Sequence, residues 1–231
     1  MRALLAYLRP SPTVPRLPWS AVGTQWRPRP STAVVLLAGV CLFGVGEGAL
    51  VAAGLGNAPW TVLAQGVASK TPLDIGGATI VVSALVLLGW IPLRQRPGLG
   101  TIANVVVIGV SLEVMSRVLP HPHQFRYQLP EVVFGVLVVA IGGALYLTAN
   151  LGPGPRDGWM TGLHRRTGIG IATVRTTIEL AVLVAGVLLG GHAGLGTLIF
   201  ALLAGYALAG IFRVLVWMTA PIPPAPEPEA A

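Results

Sequence analysis

Apolar residues gather in six runs, at about 32–54, 75–93, 101–119, 131–150, 170–190 and 196–218. A hydrocarbon core about 30 Å thick needs roughly 20 residues of helix, so each run predicts a membrane-spanning helix. Between the first and second runs, and again between the fourth and fifth, lies a shorter piece, at about 60–70 and 157–168. A helix of that length extends only about 17 Å and cannot cross. Val62, Leu63, Gly66 and Val67 share one face of the first piece, with Gln65 and Ser69 off it. In the second, Trp159, Met160 and Leu163 oppose Arg165 and Arg166. Both pieces read as interfacial or re-entrant helices. Thr61 and Asp157, each just after a Pro-X pair, are the expected N-caps.

The pattern is written twice. At an offset of 96 residues, Leu55-Gly56 falls on Leu151-Gly152 and Pro59 on Pro155. Gly98-Leu99-Gly100-Thr101 falls on Gly194-Leu195-Gly196-Thr197, and Arg117-Val118-Leu119 on Arg213-Val214-Leu215. Matched Gly, Pro and Thr at one constant offset mark a matched backbone, which shared apolar composition alone does not produce. Each half carries three spans and one short helix. Duplicated units of this kind build many transporters and channels.

Composition sets the solvent. The chain is 54% hydrophobic and only 10% charged, against about 25% charged in soluble domains. Thirty glycines suit closely packed membrane helices. The single cysteine, Cys41, excludes an internal disulfide and reads as a small buried thiol. The net charge of +7 forms no continuous face, so it predicts no nucleic-acid partner. Residues 1–30, with Arg2, Arg9, Arg16, Arg27 and Arg29, read as a basic Pro-rich cytoplasmic tail near anionic lipid. Residues 121–130 read as an outer loop, and 220–231 as a disordered tail. The membrane halves are then 31–120 and 131–219.

With the N-terminus inside and six crossings, 12 Arg or Lys fall on the cytoplasmic side and 3 (Lys70, Arg117 and Arg126) outside, as the positive-inside rule requires. Three crossings per half put the halves in opposite orientations and both termini in the cytoplasm of a bacterial plasma membrane. The basic loop 94–98 and its uncharged equivalent 190–194 fit that inversion. A parallel arrangement with four spans per half gives the same charge count. Length decides between them, since neither short piece covers the core.

The run LGPGPRDGWMTGLHRRTGIGIATVRTTIELAVLVAGVLLGGHAGLGTLIFALLAG (151–205), with LGNAPWTVLAQGVASKT (55–71) as its first-half counterpart, resembles the bacterial YczE-like integral membrane proteins, which are distantly similar to the YitT group. The resemblance covers about 32–218, and its most specific part is Gly154-Pro155-Arg156-Asp157-Gly158 followed by Gly194-Leu195-Gly196-Thr197. It implies a polytopic plasma-membrane protein and brings no substrate, cofactor or reaction.

An ionisable side chain at membrane depth is costly and marks a candidate site. Glu47, among Gly44, Gly46 and Gly48, would bind a cation or a proton, or tie two helices together. Arg175 and Glu179, four residues apart, share a helix face and form either an intrahelical pair or a gate. Their first-half equivalents, Thr79 and Ser83, are also polar. The Gly152-Pro153-Gly154-Pro155-Arg156-Asp157 run opens a helix whose N-terminus could dock an anion, or is capped by Asp157. Its counterpart, which includes Asn57, has no charge. Glu113 and Arg117 form a further, structural pair. His121 and His123 lack the carboxylate or thiol support of a metal site. Trp60, Trp90, Trp159 and Trp217 fit an aromatic belt at the span ends. Nothing in the sequence carries a Walker A loop, a zincin pair or a dinucleotide fingerprint, so no cofactor and no enzyme are expected. The expected partners are the bilayer and a small solute or ion, with the oligomeric state left open. The function classes in contention are a small-solute or ion transporter or channel, and a non-transporting accessory scaffold.

Overall fold

Proline and glycine set where the helices begin and end. The computed structural model describes residues 14–219 and holds nine helices and no strand among them. They are α1 (Pro30–Ala53), α2 (Pro59–Ala68), α3 (Ile75–Leu88), α4 (Trp90–Leu93), α5 (Leu99–Val118), α6 (Phe125–Ala149), α7 (Pro155–Thr167), α8 (Ile171–Leu188) and α9 (Leu195–Met218). Prolines open α1, α2 and α7, where the missing N–H has no intrahelical partner to lose. Gly54 and Asn150 close α1 and α6 in the left-handed conformation.

Four of these helices, α1, α5, α6 and α9, are long and apolar enough to cross a membrane. The fold is therefore all-helical and polytopic. The expected span 75–93 is divided. α3 has 14 residues, too few to cross alone, and α4 follows after Gly89. α8 has 18 residues and carries Arg175 and Glu179 in its first half.

α1 and α6 cross at the centre through glycines. A Cβ on Gly39 would lie 2.9 Å from the Gly142 carbonyl, and one on Gly46 would lie 2.6 Å from the Gly135 carbonyl. Such small residues let two helix backbones approach closely. α5 packs on α1, and α9 on α6. α2 lies against α8 and α3, while α7 lies against α8, α3 and α4.

Two loops interlock the ends. The Gly100 amide donates to the Leu151 carbonyl, and the Gly196 amide to the Leu55 carbonyl, each at 2.7 Å. The following residues, Gly56 (φ +105°) and Gly152 (φ +113°), press against the Gly194 and Gly98 loops. Any side chain there would meet both backbone strain and a facing chain.

The expected caps are not caps. Ala58 and Gly154 hold the N-cap positions of α2 and α7 without side-chain bonds. Because Pro59 and Pro155 open these helices, Thr61 and Asp157 fall in the first turn. Their oxygens turn away from the helix ends, onto α1 and α6.

The described part of the Pro-rich head, from residue 14, packs on the protein. Leu17 is fully buried, the Trp19 indole donates to Thr148 Oγ1 at 3.1 Å, and the Ala21 amide donates to the Ala149 carbonyl at 2.9 Å. The segment thus covers the C-terminal end of α6. Residues 1–13 and 220–231, the far ends of the two expected tails, lie outside the described residues. Cys41 is exposed on α1 rather than buried.

At the opposite end, Asp74 Oδ1 caps α3 by accepting from the Gly77 amide at 2.7 Å. Arg117 bridges Asp74 (2.9 Å) and Glu113 (2.5 Å), and Glu113 accepts from the Gly76 amide. The ion pair to Asp74 is solvent-facing and adds little; the cap carries the larger share. Asp74→Ala is expected to cost about 1 kcal/mol, while Asp74→Asn, an equivalent cap, stays near the parent. Thermal unfolding in detergent reads the difference.

Candidate functional site

The site forms where α2 and α7 bring their N-terminal turns together. Trp60 and Arg156 are each the second residue of a helix begun by proline. The Arg156 guanidinium carbon lies 5.3 Å from the centroid of the Trp60 ring, a cation–π distance. Arg156 also reaches α1, its nitrogen 4.0 Å from Glu47 Oε1. Glu47 is completely buried, and its other oxygen accepts from the Thr61 hydroxyl. Glu47 therefore anchors both short helices, α2 through Thr61 and α7 through Arg156. Its Oε1 has no hydrogen-bond donor among the described residues.

Asp157 Oδ2 accepts from the Tyr146 hydroxyl at 2.6 Å, fastening α7 to α6. Tyr146 is buried, with Phe43 edge-on to its ring at 6.3 Å between centroids. On α8, Arg175 Nε donates to Glu179 Oε1 at 2.9 Å, the four-residue spacing giving an intrahelical pair.

A cavity of about 160 Å³ lies among these groups. It is lined by Trp60 of α2, Tyr146 of α6, Arg156 and Asp157 of α7, and Arg175 and Glu179 of α8. The far wall is α9, through Phe200, Ala204, Gly205 and Leu208. Charged, aromatic and aliphatic surfaces thus meet in one partly enclosed space within the helical assembly.

Of the residues singled out from sequence, Arg156, Asp157, Arg175 and Glu179 share this cavity, and Glu47 stands behind Arg156. Asn57 does not join them. It is buried and donates through Nδ2 to Gln65 Oε1 at 3.1 Å, an oxygen that also accepts from the His192 amide. An anion at the N-terminus of α7 would compete with the Asp157 carboxylate already in its first turn.

Two members of the site, Trp60 and Tyr146, were not singled out from sequence as lining it. Trp60 and Trp90 are buried inside the protein and form no interfacial belt, whereas Trp217 is exposed. Trp90 lies over Gly158, and Trp159 over Gly89. Their indole N–H groups donate to the Pro155 and Val86 carbonyls. Tyr146 carried one usable signal, a polar tip inside an apolar run that needs a partner. No group of three or more His, Cys, Asp or Glu side chains placed to hold a metal occurs among the described residues.

Residues 31–213 match a family of unknown function, DUF6198. The chain is 41% identical over 202 residues to an uncharacterized protein of Haemophilus influenzae, covering 87% of this chain and 92% of that one. It is 32% identical over 156 residues to the uncharacterized membrane protein YczE of Bacillus subtilis, covering 67% and 72%. The uncharacterized protein YyaS of the same bacterium is 24% identical over 177 residues, covering 74% and 87%. No solved structure matches.

Proposed function

The chain belongs to the DUF6198 family and is a YczE-like multi-pass membrane protein, and on that premise we propose that it is a small-solute or ion transporter or channel. The cavity at the seam, with four charged side chains in its lining, is the observation that carries the reading. Charges are tolerated at membrane depth where they pair or face a watery path.

In this reading the halves are inverted repeats of three crossings each, made by α1, α3 with α4, and α5, then by α6, α8 and α9. Two contacts support it. Gly39 meets Gly142 and Gly46 meets Gly135, and both pairs interchange under the 96-residue offset, as a two-fold axis in the membrane plane requires. The Leu55–Gly196 and Leu151–Gly100 bonds interchange in the same way. α2 and α7 are then re-entrant half-helices, entering from opposite sides with their N-termini turned toward the middle. The arginine-rich ends, with both termini, face the cytoplasm of a plasma membrane.

A competing reading, a non-transporting accessory scaffold, draws on the pairing of Arg175 with Glu179 and of Glu47 with Arg156. Water access separates the two. In a Cys41→Ala background, Met160→Cys and Gly205→Cys are expected to react with a charged methanethiosulfonate reagent, while Leu137→Cys, on the outer face of α6, stays inert. Inert cysteines at both 160 and 205 would leave the scaffold reading standing.

A further inference from the structure

The ion pairs of the site do not close evenly. Arg156 answers Glu47, and Arg175 answers Glu179. Asp157 has no ion-pair partner among the described residues; its one side-chain donor is the neutral Tyr146 hydroxyl. The N-terminus of α7 offsets part of that charge, but a helix end carries only about half a positive charge. Asp157 is thus the wall carboxylate that no guanidinium holds.

The rest of the lining says what kind of cation fits. A bare metal ion seeks a shell of six or more oxygens. This wall instead presents Phe43, Trp60, Tyr146, Met160 and Phe200, rings and a thioether that attract a diffuse organic cation. The volume of about 160 Å³ corresponds to about five water molecules, so the solute has only a handful of heavy atoms. Resting on the transporter reading above, we infer that the seam cavity binds a small organic cation, a protonated or quaternary amine, with Asp157 as its counter-charge and the aromatic wall as its cradle. This reverses the sign of ligand that the glycine–proline run and Arg156 suggest when read without their neighbours.

Calorimetry on the purified full-length chain in lipid nanodiscs tests the assignment, with tetramethylammonium chloride as probe and tert-butanol, sodium acetate and sodium chloride as comparisons. Tetramethylammonium alone is expected to bind saturably. Asp157→Asn is expected to weaken it at least tenfold. Gly205→Phe, which grows from a glycine whose Cβ meets nothing within 4 Å, is expected to fill the space and abolish binding with little loss of thermal stability. Should Asp157→Asn unfold, probe selectivity and the Gly205→Phe variant decide. Saturable binding of acetate in place of tetramethylammonium, or unchanged affinity in Asp157→Asn, overturns the inference. If 160 and 205 label from water while tetramethylammonium fails to bind, the ligand class alone is wrong. If neither labels, the transport reading falls with it.

Discussion

Gly46→Leu is expected to leave almost no folded protein. The glycine sits where α1 and α6 cross, and an added Cβ would lie 2.6 Å from both the Gly135 carbonyl oxygen and the Val139 amide nitrogen. Overpacking a core usually costs about 1–3 kcal/mol, because flexible side chains give way. Here the facing atoms are helix backbone, which yields only if the helices separate. Separation would also break the Gly39–Gly142 contact two turns along the same face. The expected loss exceeds about 3 kcal/mol, beyond the usual overpacking range. Fluorescence-detected size-exclusion chromatography should show the monodisperse peak gone. Gly205→Leu, on the open wall of α9, controls for adding leucine to a membrane helix and should elute like the parent. A normal peak from Gly46→Leu would mean that the central crossing is wrong.

The second large effect concerns the Glu47–Arg156 pair. Removing one partner of a buried pair strands the other charge and costs about 3–5 kcal/mol. Arg156 keeps 26% of its side-chain exposure while Glu47 has none, so the loss in Arg156→Met should fall at the lower end. Glu47→Gln keeps an acceptor for Thr61 but leaves Arg156 facing no carboxylate. The double variant carries no stranded charge and is expected to be more stable than Arg156→Met alone. Denaturant unfolding of the four proteins in mixed micelles gives the coupling directly. Additive single effects would show that the two groups do not act as a pair.

Much of the frame was legible because membrane helices announce themselves through long apolar runs. α1, α5, α6 and α9 overlie four of the six runs, although α6 starts at Phe125, inside the expected outer loop 121–130. α2 and α7 were visible as short pieces bounded by proline. The division of 75–93 was hidden, because its local sequence is continuously apolar. The break at Gly89 coincides with the indole of Trp159, seventy residues on, lying against that glycine. The burial of Trp60 and Trp90 was hidden for a like reason: a tryptophan near a span end suits either an interface or an interior, and only long-range partners choose. Thr61 and Asp157 were misread as caps because the cap rule looks for a short polar side chain near the helix start. It does not count the turn already begun by the preceding proline.

The site shows the same divide. Arg175–Glu179 could be read from a four-residue spacing on one helix. Glu47–Arg156 could not, since the partners are 109 positions apart in the chain. The ligand class inferred for the cavity depends on that pairing. Arg156 read alone suggests an anion site, whereas Arg156 directed at Glu47 leaves Asp157 as the wall carboxylate without a guanidinium.

The sidedness of two equivalent loops tests most directly whether oppositely oriented halves enclose this cavity. In a Cys41→Ala background, Arg96→Cys and His192→Cys should be probed in intact cells and in inside-out vesicles with an impermeant thiol reagent. The account predicts that position 96 labels only in the vesicles and position 192 only in the cells. Labelling of both from one side would make the halves parallel and contradict it.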